Sequence, residues 1–186
     1  RAGVEFVRAA VQGLVLENGA VTGLRINGET VGCDSVIVAT GGLSYPQTGS
    51  TGDGYAWARA AGHTVVPPQP SLVPLNASGD FCRACMGLSL KNVRLSFRTA
   101  DGRELYDETG EMLFTHFGVS GPVVLSASAY LRGRYPCELY IDLKPALSAE
   151  ALDRRLLRDF SENANRDFIN ALDALLPQKL IAPFVS

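Results

Sequence analysis

Residues 36–54 read VIVATGGLSYPQTGSTGDG, and residues 55–62 continue as YAWARAAG. Val36, Ile37, Val38 and Ala39 form a near-continuous apolar run, the pattern of a strand buried on both faces in a parallel sheet. Such strands alternate with helices, so the run predicts an α/β element. Glycine then dominates, at Gly41, Gly42, Gly49, Gly52 and Gly54. Backbone without a Cβ at the carboxyl edge of such a sheet lies directly against a flat or phosphorylated ligand. The alanine-rich stretch that follows predicts a helix, with Asp53 near its start and Gly62 as its C-terminal cap. Free N–H groups at that start would favour an anion. Glycine-rich loops also serve simply to turn the chain, so the loop alone leaves both readings open.

Upstream, GVEFV (3–7) reads as a short strand, and VQGLVLE (11–17) and VTGLRI (21–26) as two more. Asn18-Gly19 joins the latter pair, a strong hairpin signal, and Asn27-Gly28 turns the chain into the segment that ends at Ala39. A three-strand meander leading into a buried parallel strand is expected. Downstream, PPQPSLVP (67–74) excludes helix and central strand. The composition break places a domain boundary near residue 75, giving domains 1–75 and 76–186 with separate cores.

The second part changes character. Val93, Leu95 and Phe97 alternate with Arg94, Ser96 and Arg98, which predicts a half-buried strand. Asp101-Gly102 turns it toward RELYDE. Leu88 and Leu90 are out of phase with Val93, so a bulge is expected around Asn92. Ser120 and Pro122 read as the cap and first turn of a helix, and CELYIDL (137–143) as a strand. Leu152, Leu156, Leu157 and Phe160 share a helical face after a Ser148 cap. Phe168, Ile169, Leu172, Leu175 and Leu176 do so after Asn165, and Pro177 starts a third helix.

The chain has 186 residues, 46% hydrophobic and 19% charged, which is a globular composition. Seventeen Lys and Arg against nineteen Asp and Glu give a net charge of -2, with no basic run. That argues against a nucleic-acid partner, whose backbone needs clustered cations. No apolar stretch approaches the roughly 18 residues of a membrane span, and the opening RAGVEFVRAA lacks the layout of a signal peptide. It also lacks an initiator Met, and both ends read as cuts. Cys82 and Cys85 form a C-x-x-C that a zinc site would have to complete with two more ligands. His116 and Cys137 sit in no paired motif, so four reduced thiols, no metal and a cytoplasmic location are expected.

VIVATGGLSYPQTGSTGDGYAWARAAGH followed by PSLVPL closely resembles the aminoacetone-oxidase-like family of bacterial FAD-binding flavoproteins, which includes members described as bile-acid-pathway reductases. A second block, EMLFTHFGVSGPVVLSAS, resembles that family's signature in an inserted domain. The resemblance implies a mixed α+β and α/β fold: a partial Rossmann-like FAD-binding domain carrying an inserted β-rich domain followed by helices. It implies FAD running beside Ala39, Thr40 and Gly41, with the backbone of Val11 meeting the adenine. Gly42, Ser44, Tyr45 and Pro46, and the loop with Thr48, Gly49, Gly52, Asp53 and Gly54, would lie near the flavin. Thr115, His116, Ser120 and Gly121 would face it from the inserted domain.

The implied activity is hydride transfer between flavin and a small organic substrate, with NAD(P)H or oxygen as redox partner. A non-catalytic binding module on the same scaffold is the alternative. His116 is the candidate acid or base, although packing or capping would also explain it. The family's opening glycine-rich strand–loop and its closing FAD segment have no counterpart here, so the 186 residues alone are expected to be inactive and to lose FAD. An exposed strand edge at residues 36–39 would then invite dimerisation.

Overall fold

The computed structural model describes residues 3–185, and the chain falls into two compact units, Arg1–Pro68 and Gln69–Ser186. The division lies inside the proline-rich run rather than near residue 75. Val73 and Leu75 account for the difference: the Val73 N–H donates to Ser128 Oγ at 2.9 Å, and Leu75 pairs with Val119, both in the second unit.

In the first unit β1 (Val11–Glu17), β2 (Ala20–Ile26) and β3 (Glu29–Gly32) form an antiparallel meander in the order β1-β2-β3. Asn18 and Gly19 take φ of 50° and 79°, and Asn27 and Gly28 take 52° and 88°. These are the left-handed pairs that tight hairpins require and that Asn-Gly supplies at least cost. The helix α1 (Asp53–Ala60) forms where the alanine-rich stretch lies, and Gly62 at φ 86° follows it.

Two expected strands do not form. Residues 3–7 and 36–39 have no regular secondary structure; Phe6 is 90% exposed and Ile37 93%. A strand exists only through hydrogen bonds to a neighbour, and no strand among the described residues pairs with either segment. Every buried apolar side chain among those residues lies between Cys82 and Ile181, so the first unit lacks the separate core expected of it.

The second unit is α+β. Strands β4 (Leu75–Asn76), β5 (Ser89–Arg98), β6 (Glu104–Phe114), β7 (Gly118–Ser120) and β8 (Glu138–Asp142) form one antiparallel sheet in the order β4-β7-β6-β5-β8. The short helix α2 (Phe81–Ala84) precedes β5. Leu95, Phe97, Met112 and Phe114 point from β5 and β6 into the core, where Val124 and Leu131 of α3 (Pro122–Leu131) meet them. Asn92 sits at φ 54° where the β5–β6 register shifts between Leu90 and Val93, as the phase break implied. Gly121, not Ser120, is the N-cap of α3, and Ser120 instead ends β7.

Three helices close the unit: α4 (Ala149–Glu162), α5 (Phe168–Ala171) and α6 (Gln178–Val185). Ser148 Oγ accepts the Ala151 N–H at 3.2 Å, capping α4. The helix α5 is capped at Asp167 rather than Asn165. Leu157, Phe160, Phe168 and Ile169 are exposed rather than inward-facing. On α4 the buried position falls to Asp159, which Arg155 and Arg158 neutralise at 3.3 and 3.1 Å. Arg155 also donates to the Ala174 carbonyl at 3.2 Å, tying α4 to the segment after α5.

Candidate functional site

The glycine-rich loop is held by its own short hydrogen bonds. Gly41 takes φ 74°, and a single 3-10 turn follows at Pro46–Thr48. Tyr45 caps that turn in the left-handed region with its side chain exposed. The Thr48 hydroxyl donates to the Tyr45 carbonyl at 2.7 Å, and the Gly49 N–H donates to the Pro46 carbonyl at 3.0 Å. Gly52, at φ 88°, returns the chain into α1, and the Thr51 hydroxyl donates to the Asp53 carboxylate at 3.0 Å.

This folding-back leaves an open hollow of about 300 Å³, lined by Val38, Ala39, Thr40, Gly41, Gly54 and Tyr55. A Cβ on Gly54 would lie 2.7 Å from Thr40 Oγ1 and 3.2 Å from Val38 Cγ1, so only glycine lets α1 approach this segment. A Cβ on Gly52 would lie 2.6 Å from Leu43 Cδ2.

Among the residues singled out from sequence, Ala39, Thr40, Gly41 and Gly54 come together around the hollow. Gly42 borders it through the Tyr55 hydroxyl, 3.3 Å from where its Cβ would be. Tyr45, Thr48, Gly49, Gly52 and Asp53 shape the loop without lining the hollow, and Val11 starts β1 opposite Ile26. Tyr55 was not anticipated. It lies in the first turn of α1, and nothing in the local sequence marks its return to the loop.

In the second unit the candidate residues lie along the β6–β7 turn. The Thr115 hydroxyl accepts the Gly118 N–H at 3.1 Å, while the Thr115 N–H donates to the Gly118 carbonyl at 2.8 Å. His116 is exposed at the tip, edge-on to Phe117 with centroids 4.9 Å apart. Gly121 is required by packing: a Cβ there would sit 2.8 Å from Met112 Cα. All four cysteines are free, and burial pushes the Cys82, Cys85 and Cys137 thiols up. Among the described residues no three His, Cys, Asp or Glu side chains converge as a metal site, and no helix is long and apolar enough to cross a membrane.

The second unit thus defines an α+β domain whose antiparallel sheet carries the candidate turn beside a capping helix. Residues 69–186, the span of that unit, match the family described as "HI0933-like protein barrel and H2TH domain", and the chain belongs to that family. It is 35% identical over 161 residues to the "Ribosomal RNA dihydrouridine synthase" of Haemophilus influenzae, covering 85% of this chain and 37% of that protein. The protein of the same name from Escherichia coli is 35% identical over 159 residues, covering 85% and 38%. The "3-dehydro-bile acid delta(4,6)-reductase" of Clostridium scindens is 30% identical over 186 residues, covering 96% and 42%. The chain therefore spans about two fifths of the length of these relatives.

Proposed function

We propose that the full-length protein is an FAD-dependent oxidoreductase, and that residues 1–68 form part of its Rossmann-like FAD-binding domain. The observation that carries this reading is the hollow between residues 38–41 and the start of α1, where Gly54 lets the helix approach Val38 and Thr40. Its chemistry fits the cofactor: backbone and a threonine hydroxyl on one side, a phenol on the other, and glycine where a side chain would collide. Ala39, Thr40, Gly41 and Gly54 would hold part of the FAD there, with Val11 and the loop through Asp53 as outer contacts. The flavin, when bound, supplies hydride chemistry.

This chain's own residues supply orientation. The Thr40 hydroxyl and the backbone at Gly41 offer hydrogen bonds at the rim. Thr115 stiffens the turn that carries His116, whose exposed imidazole is the candidate proton donor or acceptor at the substrate. Ser120 and Gly121 follow it, at the end of β7 and the N-cap of α3. His116→Ala in the full-length protein should lower turnover while leaving FAD content unchanged.

The names of the relatives support a narrower reading of the reaction. Dihydrouridine formation and reduction at delta-4,6 positions both add hydrogen across a carbon–carbon double bond. We take alkene reduction on a small ring substrate, with NAD(P)H as hydride source, as the leading reaction; oxidation of an aminoketone with oxygen follows from the aminoacetone-oxidase-like resemblance. Uridine within RNA is the second substrate class, favoured by two relatives, although the net charge of -2 on these 186 residues offers a phosphate backbone little attraction. The test is anaerobic reduction of the purified full-length protein with NAD(P)H, followed by separate addition of a steroid dienone, ribosomal RNA lacking dihydrouridine, or oxygen. Return of the oxidised flavin spectrum with one acceptor identifies the class; absence of flavin from the protein would overturn the reading.

A further inference from the structure

We propose that Tyr55 is a cofactor-positioning residue, its phenol hydroxyl hydrogen-bonding a polar atom of FAD at the Gly41–Gly42 edge. The proposal rests on the flavoprotein reading above and names a contact that reading does not contain.

Three observations converge on this side chain. Tyr55 lines the hollow opposite residues 38–41. Its ring runs from one arm of the glycine loop to the other: Cδ2 lies 3.5 Å from where a Gly52 Cβ would sit, and the hydroxyl lies 3.3 Å from where a Gly42 Cβ would sit. A Cβ at Gly42 would be tight against the phenol hydroxyl, whereas one at Gly52 would meet the ring in ordinary contact. Ring and loop therefore fit together without fixing the hydroxyl, which has no hydrogen-bond partner among the described residues. Thr48 and Thr51, by contrast, donate to the loop itself at 2.7 and 3.0 Å.

A half-buried phenol hydroxyl at the edge of a cavity is both donor and acceptor. Packing alone would be served as well by phenylalanine. The backbone N–H of Tyr55 is already committed to the Gly52 carbonyl at 3.0 Å, so the residue is held from behind while it lines the hollow. A positioning contact needs that combination: a fixed backbone, a stiff ring with few rotatable bonds and one unpaired polar end.

The experiment compares wild-type, Tyr55→Phe and Tyr55→Ala full-length proteins, stripped of flavin and titrated with FAD by fluorescence. Melting of the flavin-free proteins and the absorbance bands of bound FAD are recorded alongside. Tyr55→Phe should melt as wild type, bind FAD about threefold to tenfold more weakly, the range of one neutral hydrogen bond, and shift the bound-flavin bands. Tyr55→Ala should bind more weakly still. Wild-type affinity and unshifted bands in Tyr55→Phe would overturn the proposal while leaving the flavoprotein reading intact. A fall in flavin-free melting that accounts for the binding loss would make Tyr55 structural. A wild-type protein that binds no FAD would sink both readings together.

Discussion

Leu72 has φ 53° and is 64% exposed, so a bulky side chain occupies the left-handed region with little packing to compensate. It is held there from the next residue, through the Val73 N–H bonded to Ser128, a side chain only 1% exposed. Leu72→Gly should therefore stabilise the protein by about 0.5–1 kcal/mol, the left-handed penalty less the entropy glycine adds to the unfolded chain. Urea denaturation measures it, and a loss of stability would show that Leu72 makes contacts worth more than its strain. Gly118 is the opposite case. A Cβ there would sit 2.1 Å from the Leu75 carbonyl oxygen, so Gly118→Ala must push β4 off β7 and should cost several kcal/mol by the same measurement.

Asp107 gives the residue scale its pH dependence. The Ser96 hydroxyl bonded to it, then the Arg94 guanidinium at 2.8 Å, hold its carboxyl below the usual range. A depressed folded pKa contributes stability that is fully present above the unfolded value of about 3.9 and is lost as pH falls through the folded value. Wild type should thus lose stability below about pH 4 more steeply than Asp107→Asn, which starts lower and lacks that component. Parallel slopes would rule the linkage out.

At the scale of elements, legibility followed locality. Both Asn-Gly hairpins, the bulge at Asn92 and the Ser148 cap were readable because each is decided within a few residues. Ser148→Ala should accordingly lower stability by about 1 kcal/mol, seen as an earlier urea midpoint with an unchanged slope. The caps of α3 and α5 were misplaced by one and two positions, since Gly121 and Asp167 win on backbone geometry that composition does not encode. Strands at 3–7 and 36–39 were misread for a different reason. Their apolar runs report what such a segment prefers to pair with, and pairing is decided by another stretch of chain. The glycine loop leading into α1 was legible as a loop, but the place of Tyr55 beside residues 38–41 was not, because it depends on how the loop closes.

At the scale of the whole molecule, the two units differ in what holds them. The second packs Leu95, Phe97, Met112, Phe114, Val124 and Leu131 into one core sealed by Leu172, Leu176, Leu180 and Ile181, and it coincides with the matched family span. Burial on that scale is the main favourable term in folding. The first unit relies on hairpin hydrogen bonds and on loop closure, with Phe6, Ile37 and Val66 at least 80% exposed. A three-stranded meander without a buried apolar face does not offset the entropy of ordering it. Residues 69–186 expressed alone should therefore unfold cooperatively, with a calorimetric enthalpy of about 80 kcal/mol near 60 °C for a domain of that length. Residues 1–68 alone should show no cooperative transition and should bind a hydrophobic dye such as ANS. In the full-length protein the dye should be excluded, because residues 3–7 and 36–39 would there be covered. A cooperative melt of 1–68 without dye binding would mean that the meander and α1 form a sufficient core by themselves. Failure of 69–186 to melt cooperatively would mean that its sheet depends on chain outside it.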